Sequence, residues 1–198
     1  MIPMKLYGTL TSPFVRRVRF VADALGLPYT RVDTATDEGQ AALRAVTPFW
    51  KIPTAVLDGQ VIFDSRAIIE HIFRTRGHGP LRPTSPHGWV QESNLVQLTD
   101  GVLETAIRFF YLKKDGADVS APYLQKEAAR IDSTMAWLAD HIDGPFVTDD
   151  PRFGYGELVL YSTLDWMRFR DTYPIDRHPT LRAFLDAHAE RMAPTAPG

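Results

Sequence analysis

The feature that constrains the fold most is a short stretch rich in proline and glycine. Residues 77–88 read GHGPLRPTSPHG and contain few apolar side chains. Because proline and glycine interrupt helices and strands alike, such a stretch is typical of a link between two structured parts. The chain has 198 residues, of which 44% are hydrophobic, and that length can bury two small cores. The sequence therefore predicts domains at residues 1–78 and 89–198, joined by a linker at residues 79–88.

The part before the linker alternates between strand patterns and helix patterns. Apolar residues recur at helical spacing after Pro13 and stop at Gly26, an order that suits a helix. Pro53 introduces the segment TAVLDGQVIF, in which Asp58 and Gly59 predict a two-residue hairpin turn. The complete order is β-α-β-α-β-β-α, which predicts a small mixed sheet with helices on its faces. This is the thioredoxin-like α/β arrangement.

The part after the linker is helical in pattern throughout. It contains neither a strand-like alternation nor an internal repeat. Four amphipathic or apolar segments predict helices at residues 89–114, 122–142, 156–170 and 178–192. We therefore expect an all-α domain after the α/β domain.

Composition narrows the possible functions. The chain contains no cysteine, which excludes disulfides, thiolate metal sites and catalysis by a thiol of the protein. If the protein performs thiol chemistry, a small molecule must supply the sulfur. The net charge of −2 gives no basis for binding nucleic acid or an anionic membrane. The six histidines show no metal-ligand spacing, so we expect no metal, and we expect a cytoplasmic protein because no apolar run approaches the ~20 residues of a membrane span.

Ser12 lies where the first predicted strand gives way to the first predicted helix. A serine directly before a proline at a helix start is most simply an N-cap. The same helix end presents free N–H groups and about half a positive charge, which favours an anion. Stabilising a thiolate by about two pKa units, from an ordinary thiol pKa of about 8.5, takes about 2.7 kcal/mol. A serine hydroxyl can accept from the helix and still donate its proton to sulfur, so the two roles are compatible.

Three segments together carry a family resemblance. TSPFVRRVR at the first helix, KIPT before the third strand and DSRAI at the last helix of the α/β part resemble the glutathione S-transferases, in particular bacterial serine-type members. The resemblance covers almost the whole chain. It implies an enzyme that binds glutathione as co-substrate and joins its thiolate to a small hydrophobic electrophile, without a further cofactor. It also implies a role in detoxification, a homodimer, and Ser12 as the catalytic residue that faces the glutathione sulfur.

The resemblance further implies a set of glutathione-binding residues, namely Phe14, Lys51, Ile52, Pro53, Asp64 and Ser65. In such proteins the main chain before a cis-proline, here Ile52 before Pro53, pairs with the cysteinyl part of glutathione. An acidic residue followed by serine, here Asp64 and Ser65, holds the γ-glutamyl end. A basic residue such as Lys51 lies near the glycyl end.

One departure from the family pattern leaves alternatives open. Trp50 occupies a position where the family often has glycine, before the basic residue of KIPT. It favours a second reading, in which the protein keeps the fold as a non-catalytic binding or regulatory protein. A glutathione-dependent peroxidase or thiol reductase is a further alternative.

Two smaller expectations concern helices. We expect Arg16, Arg17 and Arg19 to form a solvated face of the first helix. Gly154 and Glu157 take the place of a capping box whose first residue lacks a side-chain oxygen.

Overall fold

A computed structural model describes residues 3–197. The first part contains β1 (Met4–Tyr7), α1 (Pro13–Ala24), β2 (Tyr29–Val32), α2 (Asp37–Val46), β3 (Thr54–Leu57), β4 (Gln60–Ile62) and α3 (Ser65–Arg76). The second part contains α4 (Pro86–Lys114), α5 (Pro122–His141), α6 (Tyr155–Phe169) and α7 (Pro179–Met192). Short 3₁₀ turns occur at Gly79–Leu81, Ile175–Arg177 and Ala193–Thr195. The predicted fold class and element order are confirmed.

The four strands form one mixed sheet in the order β2-β1-β3-β4. Strand β1 is parallel to β2, with Tyr7 opposite Val32. It is antiparallel to β3, with Tyr7 opposite Thr54. Strand β4 is antiparallel to β3, with Ile62 opposite Ala55. This register puts the end of β1, the start of β3 and the end of β4 at the same edge of the sheet.

Helices α1 and α3 pack against each other and fill the core of the first part. Val15, Val18 and Val21 of α1 are fully buried, as are Ile68 and Ile72 of α3. Burial of each such side chain contributes about 1.5–3 kcal/mol. The helical spacing that predicted α1 is therefore the spacing of its core face.

Helix α6 forms the centre of the helical part, where it packs on α4. All its residues from Tyr155 to Met167 are buried. The oxygens of Glu157, one turn inside α6, accept hydrogen bonds from the N–H groups of Gly154 at 2.8 Å and Val147 at 2.9 Å. Glu157 thus supplies its half of a capping box, while glycine has no side chain to supply the other half. Burial raises the pKa of Glu157.

His188 of α7 is a buried titratable group of the helical part. Its Nε2 donates to the carbonyl oxygen of Pro145 at 2.6 Å. The rings of Phe153 and Phe184 make edge-on contacts with its imidazole ring, at centroid distances of 4.8 and 4.9 Å. Burial lowers the pKa of His188, because the charged imidazolium loses its hydration there.

The chain divides into two compact units, and their limits differ from the predicted domains at two places. The first unit consists of the residues up to Gly79 together with the C-terminal residues from Met192, and the second unit spans Pro80–Arg191. Helix α4 begins at Pro86, inside the predicted linker of residues 79–88. Ser85 is its N-cap, because the Oγ of Ser85 accepts a hydrogen bond from the N–H of Gly88. The predicted helical domain includes the C-terminal segment, whereas in the structure this segment contacts α1 of the first unit. Within residues 3–197, no helix combines the length and apolar character that a membrane span requires.

Candidate functional site

One edge of the sheet brings together most of the residues that the sequence singles out. Ser12 ends the loop that follows β1, and Ile52–Pro53 directly precede β3. Asp64 and Ser65 follow β4. Because β3 is antiparallel to both β1 and β4, all three segments leave or enter the sheet at the same edge. Strand register therefore gathers chain segments that are far apart in sequence.

Ser12 is the N-cap of α1, as expected. Its Oγ accepts a hydrogen bond from the N–H of Val15 at 3.3 Å, and the side chain is half-buried. Its own N–H donates to the carbonyl oxygen of Thr9 at 3.3 Å. The cap uses one lone pair of the hydroxyl, so the proton of that hydroxyl is free to be donated to a ligand.

The first turn of α1 leaves one backbone donor for a ligand. Pro13 has no N–H, Val15 donates to Ser12, and Arg16 donates to the carbonyl oxygen of Ser12 at 3.0 Å. Among residues 3–197 the N–H of Phe14 finds no acceptor. Phe14 can therefore contribute to ligand binding through its main chain. The amino-acid pattern alone gives no sign of this, because it depends on which N–H groups the cap occupies.

The Ile52–Pro53 peptide bond is cis, as the resemblance implied. Pro53 is buried, and Ile52 is half-buried. The hydroxyl of Thr54 donates to the carbonyl oxygen of Lys51 at 3.0 Å and so ties the segment to the start of β3. The N–H and carbonyl of Ile52 lie on a stretch of backbone that is fixed at both sides.

Trp50 adopts the backbone conformation that glycine favours. Its φ is +53°, in the left-handed region that costs a residue with a side chain about 1–2 kcal/mol. The indole is exposed, with the guanidinium of Arg44 5.0 Å from its ring centroid. The backbone at position 50 thus has the left-handed conformation that a glycine would adopt readily there. The Nζ of Lys51 lies 5.0 Å from the ring centroid of Phe49, and the Lys51 side chain is exposed.

Asp64 and Ser65 begin α3. The Oδ1 of Asp64 accepts from the N–H of Arg66 at 3.0 Å, so Asp64 is the N-cap. Ser65, the first helical residue, is buried, and its hydroxyl makes no hydrogen bond within residues 3–197. The Phe63–Asp64 peptide bond is also cis.

Two helix N-termini, those of α1 and α3, open at this edge of the sheet. The first turns of both helices, each described in full, carry no acidic side chain. The positive end of α1 therefore favours a bound anion, whereas the carboxylate of the N-cap Asp64 offsets part of the positive charge at the start of α3. A thiolate and a carboxylate are ligands of this kind. No group of three or more His, Asp or Glu side chains within residues 3–197 is arranged to hold a metal ion.

The expectation of a solvated basic face on α1 was wrong for two of its three arginines. Arg16 and Arg17 are 3% and 1% exposed. The guanidinium of Arg17 lies 4.9 Å from the ring centroid of Phe14. Arg19 is half-buried and donates to the hydroxyl of Tyr29 at 3.4 Å.

Arg16 is covered by the C-terminal segment. Its Nε donates to Oγ1 of Thr195 at 3.2 Å, and its Nη2 donates to the carbonyl oxygen of Met192 at 3.0 Å. Thr195 and Met192 are buried as well. We call this group of contacts the C-terminal clasp. It fixes the first turn of α1, which carries Ser12, and the sequence contains no local signal for it.

Comparison with known proteins shows to which family the chain belongs. The N-terminal domain of the glutathione S-transferases matches residues 6–80, and the C-terminal domain of the same family matches residues 121–187. Glutathione S-transferase U3 of Arabidopsis thaliana is 31% identical over 192 residues, which cover 92% of this chain and 82% of that protein. The chain belongs to the glutathione S-transferase family.

Other glutathione S-transferases resemble it over different lengths. Glutathione S-transferase U6 of Arabidopsis thaliana is 33% identical over 98 residues, which span 49% of this chain and only 44% of that relative. A crystal structure of a glutathione S-transferase from Methylobacterium radiotolerans in complex with glutathione sulfonate is 24% identical, with a TM-score of 0.85. It covers 99% of this chain and 95% of that one, so the two share the fold over nearly their whole length.

Proposed function

We propose that this glutathione S-transferase binds glutathione at the edge of its sheet and transfers the thiolate to a small hydrophobic electrophile. The observation that carries the proposal is the meeting of Ser12, the Ile52–Pro53 segment and Ser65 at an edge where two helices begin. The glutathione sulfonate bound by the structural relative supports it.

The proposed catalytic step needs only groups that this edge supplies. The thiol of glutathione loses its proton to water, and the hydroxyl of Ser12 donates a hydrogen bond to the resulting thiolate. With an aryl halide as electrophile, the thiolate attacks the ring carbon, a C–S bond forms, and the halide leaves with the bonding electron pair. The positive end of α1 stabilises the sulfur anion before the attack.

Glutathione binding is proposed to use both the main chain and the α3 N-terminus. The N–H and carbonyl of Ile52 pair with the cysteinyl unit in the manner of a strand. The γ-glutamyl carboxylate accepts from Ser65 and the N–H groups that begin α3, while the carboxylate of Asp64 faces the ammonium. Lys51, whose side chain is exposed, is proposed to meet the glycyl carboxylate.

Calorimetric titration with glutathione tests this proposal, with Ser65→Ala as the probe variant. A lost hydrogen bond to a charged group costs about 1.5–3 kcal/mol, so we expect the dissociation constant to rise roughly 10- to 150-fold. Ser133→Ala, an exposed serine of α5, is the matched control and should bind as the wild type does. No binding to the wild type at millimolar glutathione would contradict the proposal and favour a binding protein for another ligand.

Turnover separates a transferase from the alternatives on the same fold. We expect glutathione-dependent release of halide from an aryl halide such as 1-chloro-2,4-dinitrobenzene. A protein that binds glutathione, reduces a hydroperoxide or a disulfide, and leaves the aryl halide intact would instead be a peroxidase or thiol reductase.

We further propose that the protein acts as a homodimer in the cytoplasm, in detoxification. Exposed large apolar side chains in both units support the association, namely Phe49, Trp50, Phe63, Trp89, Val90, Tyr123 and Trp137. The cytosol is a compartment where glutathione keeps thiols reduced. Light scattering at micromolar concentration tests the association, and a mass of 22.3 kDa, that of one chain, would contradict it.

A further inference from the structure

Residues 8–12 connect β1 to α1 and end in Ser12, and we call them the Ser12 loop. The first residue of this loop, Gly8, is buried, and its N–H makes the last bond of the β1–β2 ladder, to the carbonyl oxygen of Val32 at 3.1 Å. In a parallel ladder the carbonyl oxygen of Gly8 would next accept from the N–H of Thr34. Within residues 3–197 no backbone N–H donates to this oxygen, so the ladder does not hold the start of the loop.

Arg31 of β2 takes the place of the missing ladder partner. Its Nη1 donates to the carbonyl oxygen of Gly8 at 2.8 Å. The side chain of Arg31 is half-buried, so the bond is partly shielded from water. A hydrogen bond from a charged donor is shorter and stronger than a bond between neutral groups. The start of the Ser12 loop is therefore fixed by a side chain of the neighbouring strand.

Asp33 holds the guanidinium of Arg31 in place. The Nη2 of Arg31 donates to Oδ2 of Asp33 at 3.2 Å, and its Nη1 lies 3.0 Å from Oδ1. Oδ1 also accepts from the N–H of Ala35 at 3.0 Å. Because Arg31 and Ala35 both donate to this carboxylate, the pKa of Asp33 lies below its usual value. The pair therefore stays ionised over the pH range in which a thiol with an ordinary pKa of about 8.5 titrates.

Helix α2 fixes Asp33 in turn. The hydroxyl of Thr36, the N-cap of α2, donates to the carbonyl oxygen of Asp33 at 3.1 Å. Gly39, in the first turn of α2, packs so closely on the same oxygen that a Cβ there would lie 1.8 Å from it. The carboxylate that holds Arg31 therefore belongs to a turn that is itself anchored.

The Ser12 loop packs directly on α1. A Cβ at Gly8 would lie 2.3 Å from Cγ2 of Val15, so the backbone of Gly8 touches the first turn of the helix. The N–H of Val15 is the group that donates to the Oγ of Ser12, and the N–H of Ser12 donates back into the loop, to the carbonyl oxygen of Thr9 at 3.3 Å. A displacement of Gly8 would therefore reach Ser12 both through the loop and through the helix.

We propose that Arg31 is a positioning residue for the thiolate chemistry, and that it acts through the carbonyl of Gly8 on the direction of the Ser12 hydroxyl. The inference rests on the proposed function, which assigns Ser12 as the hydrogen-bond donor to the glutathione thiolate. Because Asp33 balances the charge of Arg31, the pair adds no net charge near the sulfur, and its effect is geometric. A hydrogen bond weakens steeply when its angle becomes unfavourable, so losing Arg31 weakens the bond from Ser12 to the thiolate.

The pKa of the bound glutathione thiol, read from thiolate ultraviolet absorbance, tests the proposal. In Arg31→Met we expect this pKa to rise by about half a unit to one unit, and Arg31→Lys, which keeps one donor for Gly8, should restore part of the loss. The affinity for S-methylglutathione, which has no thiol to ionise, should stay unchanged, whereas a merely structural defect would weaken it. Arg74→Met is the matched control, since Arg74 is an exposed arginine of α3 that donates to Glu70 at 2.7 Å.

A double variant shows whether Arg31 acts through Ser12. When Arg31→Met is added to Ser12→Ala, the thiol pKa should stay where Ser12→Ala alone puts it, because no hydroxyl remains to be positioned. The proposal is overturned if Arg31→Met leaves the thiol pKa of the otherwise wild-type protein unchanged, raises it equally in the Ser12→Ala background, or abolishes binding of S-methylglutathione.

Two further outcomes are distinguished by the same measurements. If circular dichroism shows that Arg31→Met does not fold, Asp33→Asn decides the matter, because it keeps an acceptor for Ala35 and removes the charge that holds Arg31. It should raise the thiol pKa in the same direction, and an unchanged value would overturn the proposal. A wild-type protein that binds no glutathione would instead contradict the proposed function, and the role of Arg31 would fall with it.

Discussion

The C-terminal clasp gives a prediction about how firmly the C-terminal segment is held on α1. Arg16→Met removes the guanidinium that donates to Thr195 and Met192, and keeps an apolar stem of similar length for packing. Thr195 also donates to the carbonyl oxygen of Met192 at 3.2 Å, so that carbonyl keeps one partner in the variant. What is lost is the part of the link between the C-terminal segment and α1 that Arg16 supplies, while the Nη1 of Arg19 still donates to the carbonyl oxygen of Thr195 at 3.4 Å.

The magnitude follows from the two hydrogen bonds. Each bond from a charged donor contributes about 1.5–3 kcal/mol, which sets an upper bound of about 6 kcal/mol for the pair. Removing the buried charge also removes its desolvation penalty, which is several kcal/mol. We therefore expect the C-terminal segment to lose about 2–3 kcal/mol of protection, equivalent to an increase in local opening of roughly 30- to 150-fold.

Hydrogen exchange measures this opening directly. The N–H of Ala196 donates to the carbonyl oxygen of Ala193 at 3.0 Å, so its exchange reports release of the segment. Arg66→Met, at an exposed arginine of α3, is the control and should exchange as the wild type does. If Arg16→Met changes exchange in the C-terminal segment by less than about threefold, the clasp does not hold the segment and the reasoning fails.

Three further predictions concern other groups in the fold. Glu157→Gln leaves one buried N–H without an acceptor, because an amide has a single acceptor oxygen, and should lower the free energy of unfolding by about 1–3 kcal/mol in urea melts. His188 has a lowered pKa, so the unfolded chain binds its proton more readily and stability falls as the pH drops below about 6.5. His188→Phe should make the pH dependence of unfolding shallower between about pH 7 and pH 5. Trp50 has a positive φ. The free energy of unfolding in urea should therefore be about 1 kcal/mol higher for Trp50→Gly than for Trp50→Ala.

Each of these has an outcome that would count against it. Glu104→Gln changes an exposed glutamate of α4, and a loss equal to that of Glu157→Gln would show that the cap bonds do not matter. If the free energy of unfolding of His188→Phe depends on pH as steeply as that of the wild type, then groups other than His188 cause the loss of stability in acid. Equal stability of the glycine and alanine variants at position 50 would mean that the left-handed conformation is not maintained in solution.

Much of the fold could be predicted because its signals are local. Asp58–Gly59 marks the hairpin with glycine at φ +77°, and the spacing of valines along α1 marks its core face. The clasp could not be predicted, since Arg16 and Thr195 are 179 residues apart and an arginine in an amphipathic helix is usually solvated. For the same reason the sequence does not indicate that the C-terminal segment groups with the first unit.

The candidate site was predictable only in part. The family resemblance supplied the residue types, and strand register supplied their convergence at one edge, which no single segment encodes. Trp50 seemed a departure by residue type, while its backbone keeps the glycine conformation. The proposed role of Phe14 rests on its N–H, which has no acceptor among residues 3–197 because the Oγ of Ser12 accepts from the N–H of Val15 instead.

The N-cap role of Ser12 and its proposed role toward the thiolate can be separated by one variant. Aspartate is as good an N-cap as serine, but its negative charge repels a thiolate. We expect Ser12→Ala to lose about 1 kcal/mol of stability and Ser12→Asp to recover it. Ser12→Asp should nevertheless fail to support conjugation.

The most direct test of the account is the pKa of the glutathione thiol when it is bound to the protein. A pH titration of thiolate ultraviolet absorbance gives this value for the wild type, for Ser12→Ala and for the control Thr11→Val, which alters the neighbouring half-buried hydroxyl. We predict a bound thiol pKa below the ordinary value of about 8.5 in the wild type and in the control. In Ser12→Ala it should rise by about one to two units, the equivalent of a hydrogen bond to a charged group. An identical thiol pKa in the wild type and Ser12→Ala would contradict the assignment of Ser12 as the residue that stabilises the thiolate.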